Sequence, residues 1–288
     1  MEPDPAAASS AEDSTVAWPT RQPPQAELPP VAPGAGEPAV PPIAEGVGEP
    51  AARPRRRRLR GCLWAFAIFA VVYLAWEAIT WPDVAWYANH NPASSAFMDR
   101  YRRRAEREGW PPPRHRWASY GRISRSLKQA VVAAEDMEFF DHNGFSTHEL
   151  HASLEDAWEE KTLPRGASTL TQQLAKNLWL NPSYNPLRKV KEAALTWQLE
   201  RNLSKRRILE LYLNFAEFGP GTYGAEAAAR RYFGTSAAGL GAEQSAQLAA
   251  GLSRPHSWHP GAKSRSYQRR VRIVLRRMAQ ARWILRNV

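Results

Sequence analysis

The stretch EDMEFFDHNG, residues 135–144, brings together two adjacent acids, a pair of phenylalanines, a histidine and a glycine. It directly follows the apolar run AVVAA at residues 130–134, which is typical of a buried helix. A carboxylate that packs among apolar groups is a better proton acceptor near neutral pH than a solvated one. Glu135 is therefore a candidate catalytic base, and the alternative is a solvated acid at the end of a helix.

Helical spacing of apolar residues extends over most of the chain after residue 126. The pattern predicts helices over residues 128–140, 147–160, 168–178, 187–202, 205–215, 222–233, 242–252 and 265–285. Glycine and proline residues separate several of these segments, and alternating strand patterns are scarce. The predicted fold class is therefore mainly α. The last helix is rich in arginine, so its basic side chains are expected to face lipid headgroups or solvent.

A second acid, Glu192, closes the basic block RKVKE at residues 188–192. Basic side chains beside a carboxylate on one helix can hold the oxygens of a diphosphate while the acid works nearby. The simpler interpretation is a solvated helix on which Arg188 pairs with Glu192 at i, i+4. Spacing alone favours this simpler interpretation.

The block GASTLTQQLAKN, residues 166–177, places hydroxyl side chains where a helix would begin. Ser168 is the predicted N-cap, and Lys176 follows two turns later. Helix N-termini and lysines attract phosphate groups. A capped structural helix explains the same block equally well.

The block KRRILELYLN, residues 205–214, chiefly predicts an apolar helix face, on which Glu210 and Asn214 are expected to be scaffold. Taken in order, the four blocks resemble the motifs of the family 51 glycosyltransferases, the polymerases of peptidoglycan glycan chains. The resemblance covers roughly residues 115–262 and is specific, because four separate motifs agree. No segment of transpeptidase size follows, so the chain resembles the monofunctional members of the family.

The resemblance implies a role for each matching residue. Glu135 would be the base that takes a proton from the acceptor sugar, and Glu192 would be the second acid of the active site. Substrate would be bound by Ser168, Gln172, Lys176 and Asn177 in the donor groove, and by Arg188 and Lys189 at the diphosphate. His142 matches a fixed position of the first motif, and it is expected to make structural hydrogen bonds.

The resemblance also implies a fold, a substrate and partners. A lysozyme-like helical lobe would carry a small jaw partly sunk in the outer leaflet of the cytoplasmic membrane. Lipid II and the growing lipid-linked glycan chain would be joined by β-1,4 linkages, with release of undecaprenyl diphosphate. The family implies no required cofactor, allows stimulation by a divalent cation, and suggests other cell-wall synthesis proteins as partners.

Two positions depart from the family pattern. Tyr184 stands in a loop where family members usually carry an arginine that helps to grip the lipid diphosphate. The final motif, usually Pro-x-x-Tyr-x-Pro, has Trp258 in place of the tyrosine. We expect weaker phosphate binding from the first change, and preserved packing without hydroxyl chemistry from the second.

The N-terminal part of the chain predicts a tail and a membrane anchor. Residues 1–52 hold half of the 24 prolines, a composition typical of a disordered segment. Six arginines within residues 53–60 precede an apolar segment, residues 61–81, whose only charge is Glu77. About 20 apolar residues suffice to cross a bilayer, so residues 53–81 are predicted to be a basic flank and one transmembrane helix. A cleaved signal peptide is the alternative.

The arginines predict a cytoplasmic tail and a periplasmic catalytic domain at the cell inner membrane. A connector at residues 82–114 and a glycosyltransferase domain at residues 115–288 complete the predicted organisation. The net charge is +11, and residues 1–52 contribute −7 of it, so the remainder carries +18. Such basicity suits a membrane, a phosphorylated substrate or nucleic acid. Nucleic acid would require a cytoplasmic domain, so no nucleic-acid partner is expected.

The residues leave rival functions open. A lytic glycosidase would use Glu135 as a general acid, and a non-catalytic scaffold would fit the tyrosine at position 184. A metal site at His148, His151 and Glu155 is not supported by their spacing, which differs from that of the His-Glu-x-x-His zincins. The single cysteine excludes an intramolecular disulfide.

Overall fold

The computed structural model describes residues 55–146, 168–181 and 186–288, and residues 65–288 form the main compact unit. Most of the described chain is helical, which confirms the predicted fold class. The helices are α1 (Arg55–Ile79), α2 (Ala96–Glu108), α3 (Arg125–Glu135), α4 (Leu170–Trp179), α5 (Pro186–Asn202), α6 (Lys205–Phe215), α7 (Ala225–Phe233), α8 (Ala242–Gly251) and α9 (Arg265–Gln280). A small sheet has the strand order β1-β3-β2 and consists of β1 (Arg114–His115), β2 (Glu217–Gly219) and β3 (Thr222–Tyr223).

Helix α3 is the buried centre of the fold. Its residues 127–134 are all buried, and helices α8 and α9 pack against it. Alanines and valines dominate this run because a helix that is covered on all sides must let its neighbours approach closely. The Gln129 side chain of α3 also donates a hydrogen bond from Nε2 to the Met278 carbonyl of α9 over 2.9 Å. Helix α9 therefore covers α3 through a polar bond as well as apolar contact.

Some helix boundaries differ from the prediction because particular residues are used elsewhere. Helix α6 begins and ends where the sequence predicts. Helix α3 ends at Glu135 rather than at residue 140, because Asp136 leaves the helical backbone with φ −165° and ψ 83°. Helix α7 begins at Ala225 rather than at residue 222, because strand β3 precedes it. The helix predicted at residues 147–160 lies outside the described residues.

Helix α2 lies within the predicted connector, where the apolar pattern is too short to assign a helix. Ser95 caps its N-terminus by accepting a hydrogen bond from the Met98 N–H over 3.3 Å, and Gly109 ends it with a φ of 67°. Only Met98 and Ala105 are buried on α2, because most of its other residues are charged. Helix α2 packs against α4 and so reaches the region of the second sequence block.

The fourth block is part of the scaffold, as predicted. The Asn214 amide pairs with both backbone groups of Ala118, accepting from the N–H over 2.8 Å and donating to the carbonyl over 2.9 Å. Glu210 accepts a hydrogen bond from the Tyr120 N–H over 2.7 Å. These bonds tie α6 to the segment that leads into α3.

The end of α1 is bonded to α5. Glu77, the only acid of the apolar segment, pairs with Lys191 over 2.6 Å. The Lys191 ammonium also lies 5.4 Å from the centre of the Trp81 ring, and Trp81 Nε1 donates to Gln198 over 2.8 Å. Within the described residues, no helix is both long enough and apolar enough to cross a membrane.

Candidate active site

Glu135 ends α3, and only 10% of its side chain is exposed. Three groups from separate parts of the chain surround its carboxylate. Gln173 of α4 donates a hydrogen bond from Nε2 to Oε2 over 3.1 Å, and the Ser253 hydroxyl donates to Oε1 over 3.3 Å. A guanidinium nitrogen of Arg270, on α9, lies 3.8 Å from Oε1. The carboxylate is therefore held by two neutral hydrogen-bond donors and lies beside one cation.

A polar cleft opens beside this carboxylate. It is lined by Glu135, Ser168, Gln173, Lys176, Ser253 and Arg270. An adjoining cavity shares Gln173, Lys176 and Ser253 with the cleft and adds Asn177, Tyr212 and Glu217. The predicted residues Ser168, Lys176 and Asn177 thus lie in two adjoining cavities, one of which contains Glu135.

The Gln173 amide has a fixed direction. The Tyr212 hydroxyl donates to Gln173 Oε1 over 2.9 Å, which leaves Nε2 to face Glu135. Burial raises the pKa of Tyr212 well above its ordinary value, and the Glu135 and Asp136 carboxylates add to that effect. The Tyr212 hydroxyl therefore keeps its proton and acts as a donor to the amide.

The start of α4 differs from the prediction. The N-cap is Thr169 rather than Ser168, because Thr169 Oγ1 accepts the Gln172 N–H and Gln172 Oε1 accepts the Thr169 N–H, over 3.3 and 2.9 Å. This reciprocal pair is a capping box. The resemblance implies that Gln172 lines the donor groove, whereas the structure uses its side chain in the cap. The next residue, Gln173, reaches the cleft.

Asp136 and His142 form a structural pair next to the catalytic candidate. Asp136 is buried and accepts hydrogen bonds from the Leu170 N–H at 2.9 Å and from His142 Nε2 at 3.0 Å. The Gly144 N–H donates to His142 Nδ1 over 3.0 Å, so Nε2 is the nitrogen that carries the proton. The structural role predicted for His142 is thus confirmed. The pair fixes the start of α4 against the end of α3.

Glu192 lies on α5 with 3% of its side chain exposed. Arg188 Nη1 pairs with its Oε2 over 2.8 Å, and the Lys189 ammonium pairs with its Oε1. The i, i+4 pair of the simpler interpretation is therefore present, but on a buried acid rather than a solvated one. Two cations thus surround one buried carboxylate.

Lys176 electrostatically connects the two acids. Burial lowers its pKa, and the charges of Glu192 and Glu135 oppose that effect, while Lys189 and Arg188 add to it. Glu135 and Lys176 line the same cleft. The charges of Glu192, Arg188 and Lys189 act on the Lys176 ammonium.

Comparison with known proteins assigns the chain to a family. Residues 104–279 match the family model described as transglycosylase. This chain belongs to the transglycosylase family. A biosynthetic peptidoglycan transglycosylase of Methylobacillus flagellatus is 43% identical over 224 residues, which cover 77% of this chain and 96% of that protein.

Two further biosynthetic peptidoglycan transglycosylases give the same result. The protein of Thiobacillus denitrificans is 42% identical over 74% of this chain and 92% of its own length. That of an Azoarcus species is 46% identical over 69% of this chain and 85% of its own length. The resemblance found in the four sequence blocks is thereby confirmed.

Arg270 and Arg277 have a role in this transglycosylase that the sequence pattern does not reveal. Their guanidinium groups donate to the Ala134 carbonyl over 3.0 and 3.3 Å, at the C-terminal end of α3. Cations are favourable there because the last carbonyls of a helix carry partial negative charge. These two arginines of the basic last helix therefore face the C-terminal end of α3 rather than lipid or solvent.

Other predicted positions are only partly described in this transglycosylase. Tyr184, His148, His151 and Glu155 lie outside the described residues, and among the rest no cluster of three or more His, Cys, Asp or Glu could hold a metal ion. Trp258 packs against the core and lies beneath the Arg254 guanidinium at 5.0 Å. The expected packing role of Trp258 is thus present.

Proposed function

We propose that the Glu135 cleft polymerises lipid II into β-1,4-linked glycan strands, with release of undecaprenyl diphosphate. The chain is a peptidoglycan glycosyltransferase of cell wall synthesis, as its family and its relatives show. The observation that carries the mechanism is the Glu135 carboxylate, held by Gln173 and Ser253 in a cleft that also contains Lys176.

Glu135 acts as the general base in this proposal. It takes the proton of the acceptor 4-hydroxyl, and that oxygen forms a bond to C1 of the lipid-linked donor. The bond from C1 to the diphosphate oxygen breaks, the diphosphate leaves with the electron pair, and configuration inverts from α to β. Gln173 and Ser253 keep the carboxylate pointed at the cleft, which reduces the entropy lost in reaching the transition state.

The leaving diphosphate is bound by the cationic side chains of the site. Lys176, Arg188 and Lys189 stabilise its growing negative charge, because charge-assisted hydrogen bonds are strongest where water is displaced. Glu192 orients Arg188 and Lys189 through its two ion pairs. Ser168 and Asn177 bind the donor sugars in the two adjoining cavities. The helical lobe is lysozyme-like, with a small jaw at the membrane.

The exposed apolar side chains of α1 support a membrane location for the enzyme. Large apolar side chains on α1 are strongly exposed, with Trp64 and Phe66 each at 70%. Such a surface is stable only when lipid or protein covers it. We propose that residues 61–81 anchor the chain in the cell inner membrane, with residues 1–52 cytoplasmic and the catalytic domain periplasmic, because six arginines lie within residues 53–60.

Labelled lipid II tests the reaction. The detergent-solubilised chain is incubated with it, the products are separated on a gel, and the polymer is digested with a muramidase. Long products that the muramidase cuts to disaccharides are expected. If the chain leaves lipid II unchanged but cleaves preformed glycan strands, it is a lytic glycosidase and the proposal fails.

Reporter fusions test the topology. A cytoplasmic reporter is expected to be active when fused at residue 40, and a periplasmic reporter when fused after residue 288. A C-terminal fusion that reports the cytoplasm would overturn the proposed location, because lipid-linked donors would then face the wrong compartment for this site.

A further inference from the structure

A third cavity adjoins the two that contain the predicted site residues. We call it the α2 pocket, and it is lined by Phe97, Arg100, Tyr101, Arg104 and Trp110, with Glu217, Tyr223 and His256 on the other side. Phe97, Glu217 and Tyr223 also line the cavity that contains Lys176 and Asn177. The α2 pocket and the cavity that contains Lys176 and Asn177 therefore lie side by side and share three lining side chains.

Aromatic rings give the α2 pocket its shape. The Tyr101 ring lies 6.1 Å from that of Tyr223 and 6.3 Å from that of Trp110, measured between ring centres. Gly221 allows this arrangement, because its φ is 63° and a Cβ there would lie 2.4 Å from the Tyr101 hydroxyl. Trp110 remains 41% exposed although it belongs to this cluster. The rings thus form an aromatic wall in which part of the Trp110 ring remains open to solvent.

The two sides of the α2 pocket carry opposite charges. Arg104 is already engaged, since its Nε bonds Glu108 over 2.8 Å and its guanidinium lies 4.8 Å from the Trp110 ring. Arg100 is exposed, and within the described residues it has no acidic partner. Across the pocket, Glu217 accepts the Gly221 N–H over 3.1 Å. The Arg100 guanidinium is therefore the charged group of the pocket that is available to a ligand.

This combination favours one class of ligand. An arginine without a partner recognises a carboxylate through two parallel hydrogen bonds. An open aromatic face beside it suits the flat amide groups and side chains of a peptide. A cation is not suited to the pocket, because two arginines line it and its acid, Glu217, already lies 3.7 Å from His256.

We propose that the α2 pocket binds the peptide carried by the peptidoglycan precursor, with Arg100 pairing with a peptide carboxylate and Trp110 covering the peptide chain. The inference rests on the proposed function, since it assumes that lipid-linked, peptide-bearing sugars occupy the neighbouring groove. It adds a specificity for the peptide to a site whose described acids and cations act on the sugar and the diphosphate.

Two substrates distinguish recognition of the peptide from recognition of the sugar. Arg100→Ala is assayed with lipid II and with the same lipid-linked disaccharide lacking the peptide. We expect KM for lipid II to rise about 3- to 10-fold, the loss of one charge-assisted bond at an exposed position, and KM for the peptide-free substrate to be unchanged. Trp110→Ala is expected to show the same split. Arg103→Ala, an exposed neighbour on α2 outside the pocket, serves as the matched control.

A soluble muramyl peptide provides a second readout that does not require turnover. Calorimetric titration is expected to show binding to the full chain and weaker binding to Arg100→Ala, with Arg103→Ala unchanged. Equal effects of Arg100→Ala on both lipid substrates, or no effect on either, would overturn the inference. A wild-type chain that binds the muramyl peptide but makes no polymer would instead refute the proposed function and leave the pocket in place.

Discussion

The Gln173 side chain connects the Glu135 carboxylate to the buried Tyr212 hydroxyl, with hydrogen bonds of 3.1 and 2.9 Å. Because an amide has one donor end and one acceptor end, the bond from Tyr212 decides which end meets the carboxylate. The orientation of the proposed catalytic base is therefore set by a tyrosine that does not line the Glu135 cleft.

Tyr212→Phe is expected to reduce kcat without unfolding the enzyme. The amide then loses the bond that orients it, and a neutral hydrogen bond of this kind is worth about 1 kcal/mol, or roughly fivefold in rate. Tyr120→Phe is the matched control, because within the described residues the Tyr120 hydroxyl has no hydrogen-bond partner. Equal kcat values in the two variants would show that the hydrogen bond from Tyr212 is not required to orient the Gln173 amide.

Glu135→Gln is expected to abolish polymerisation while lipid II still binds. The substitution keeps the shape of the side chain but removes the base, and general-base removal slows reactions by about 10² to 10⁴. Polymer yield and lipid II affinity are measured separately. Glu138→Gln is the control, since Glu138 accepts a bond from Ser146 at 2.9 Å and takes no part in the cleft. Near wild-type polymerisation by Glu135→Gln would refute the assignment of the base.

Asp136→Asn is expected to reduce stability rather than to act directly on the chemistry. The buried carboxylate accepts from the Leu170 N–H and from His142, and an asparagine would turn a donor toward one of them. Loss of such a charge-assisted bond costs about 1.5–3 kcal/mol. Urea unfolding followed by circular dichroism measures this change in the free energy of unfolding. An unchanged midpoint would mean that the pair does not stabilise the fold.

Activity and stability are expected to respond to alkaline pH in opposite directions at Lys176. Burial lowers the pKa of Lys176, so between that value and the ordinary lysine value the unfolded chain binds more protons than the folded one. Stability contributed by this residue therefore rises with pH across that window. In the proposed mechanism the charged ammonium binds the diphosphate, so kcat/KM is expected to fall over the same window.

Arginine at position 176 tests this assignment. Lys176→Arg keeps its charge at high pH, so the alkaline fall in kcat/KM is expected to move to higher pH. Lys263→Arg, at an exposed position, is expected to leave the profile in place. An alkaline fall that is identical in Lys176→Arg and the wild type would assign it to another group.

The Glu77–Lys191 pair is expected to stabilise the junction of α1 with α5 by about 0.5–1 kcal/mol, because both side chains are partly exposed, at 23% and 24%. A double-mutant cycle with Glu77→Gln and Lys191→Met measures that coupling in thermal unfolding in detergent. The Trp81 contact of Lys191 is lost in both variants that carry Lys191→Met, so it cancels in the cycle. A coupling free energy of zero would mean that this ion pair does not stabilise the protein.

Much of the candidate site can be predicted from the sequence, because its acids and cations lie in short blocks. The N-cap of α4 is one residue later than predicted. As a result, Gln172 lies in the cap and Gln173 faces Glu135. Thr169 and Gln172 fit the capping box at their spacing, whereas Ser168 has Thr171 three residues later. The spacing therefore favours Thr169 as the N-cap and places Gln172 in the cap.

Other features depend on contacts that no local pattern contains. Helix α3 ends at Glu135 because the next carboxylate bonds to Leu170, 34 residues later. Arg270 reaches Ala134 across 136 residues, although its own helix has the arginine-rich pattern of a solvated or lipid-facing surface. Helix α2 escaped prediction because its apolar face is narrow, although Ser95 and Gly109 mark its ends.

The bond between Gln129 and Met278 has a consequence for biosynthesis. The two residues are 149 positions apart, so at 5–20 residues per second the ribosome needs about 7–30 s to supply the partner of the catalytic helix. During that time the apolar faces of α3 that α9 covers have no native partner and are open to chaperones or to aggregation. We infer that the Glu135 cleft is among the last parts of the enzyme to mature.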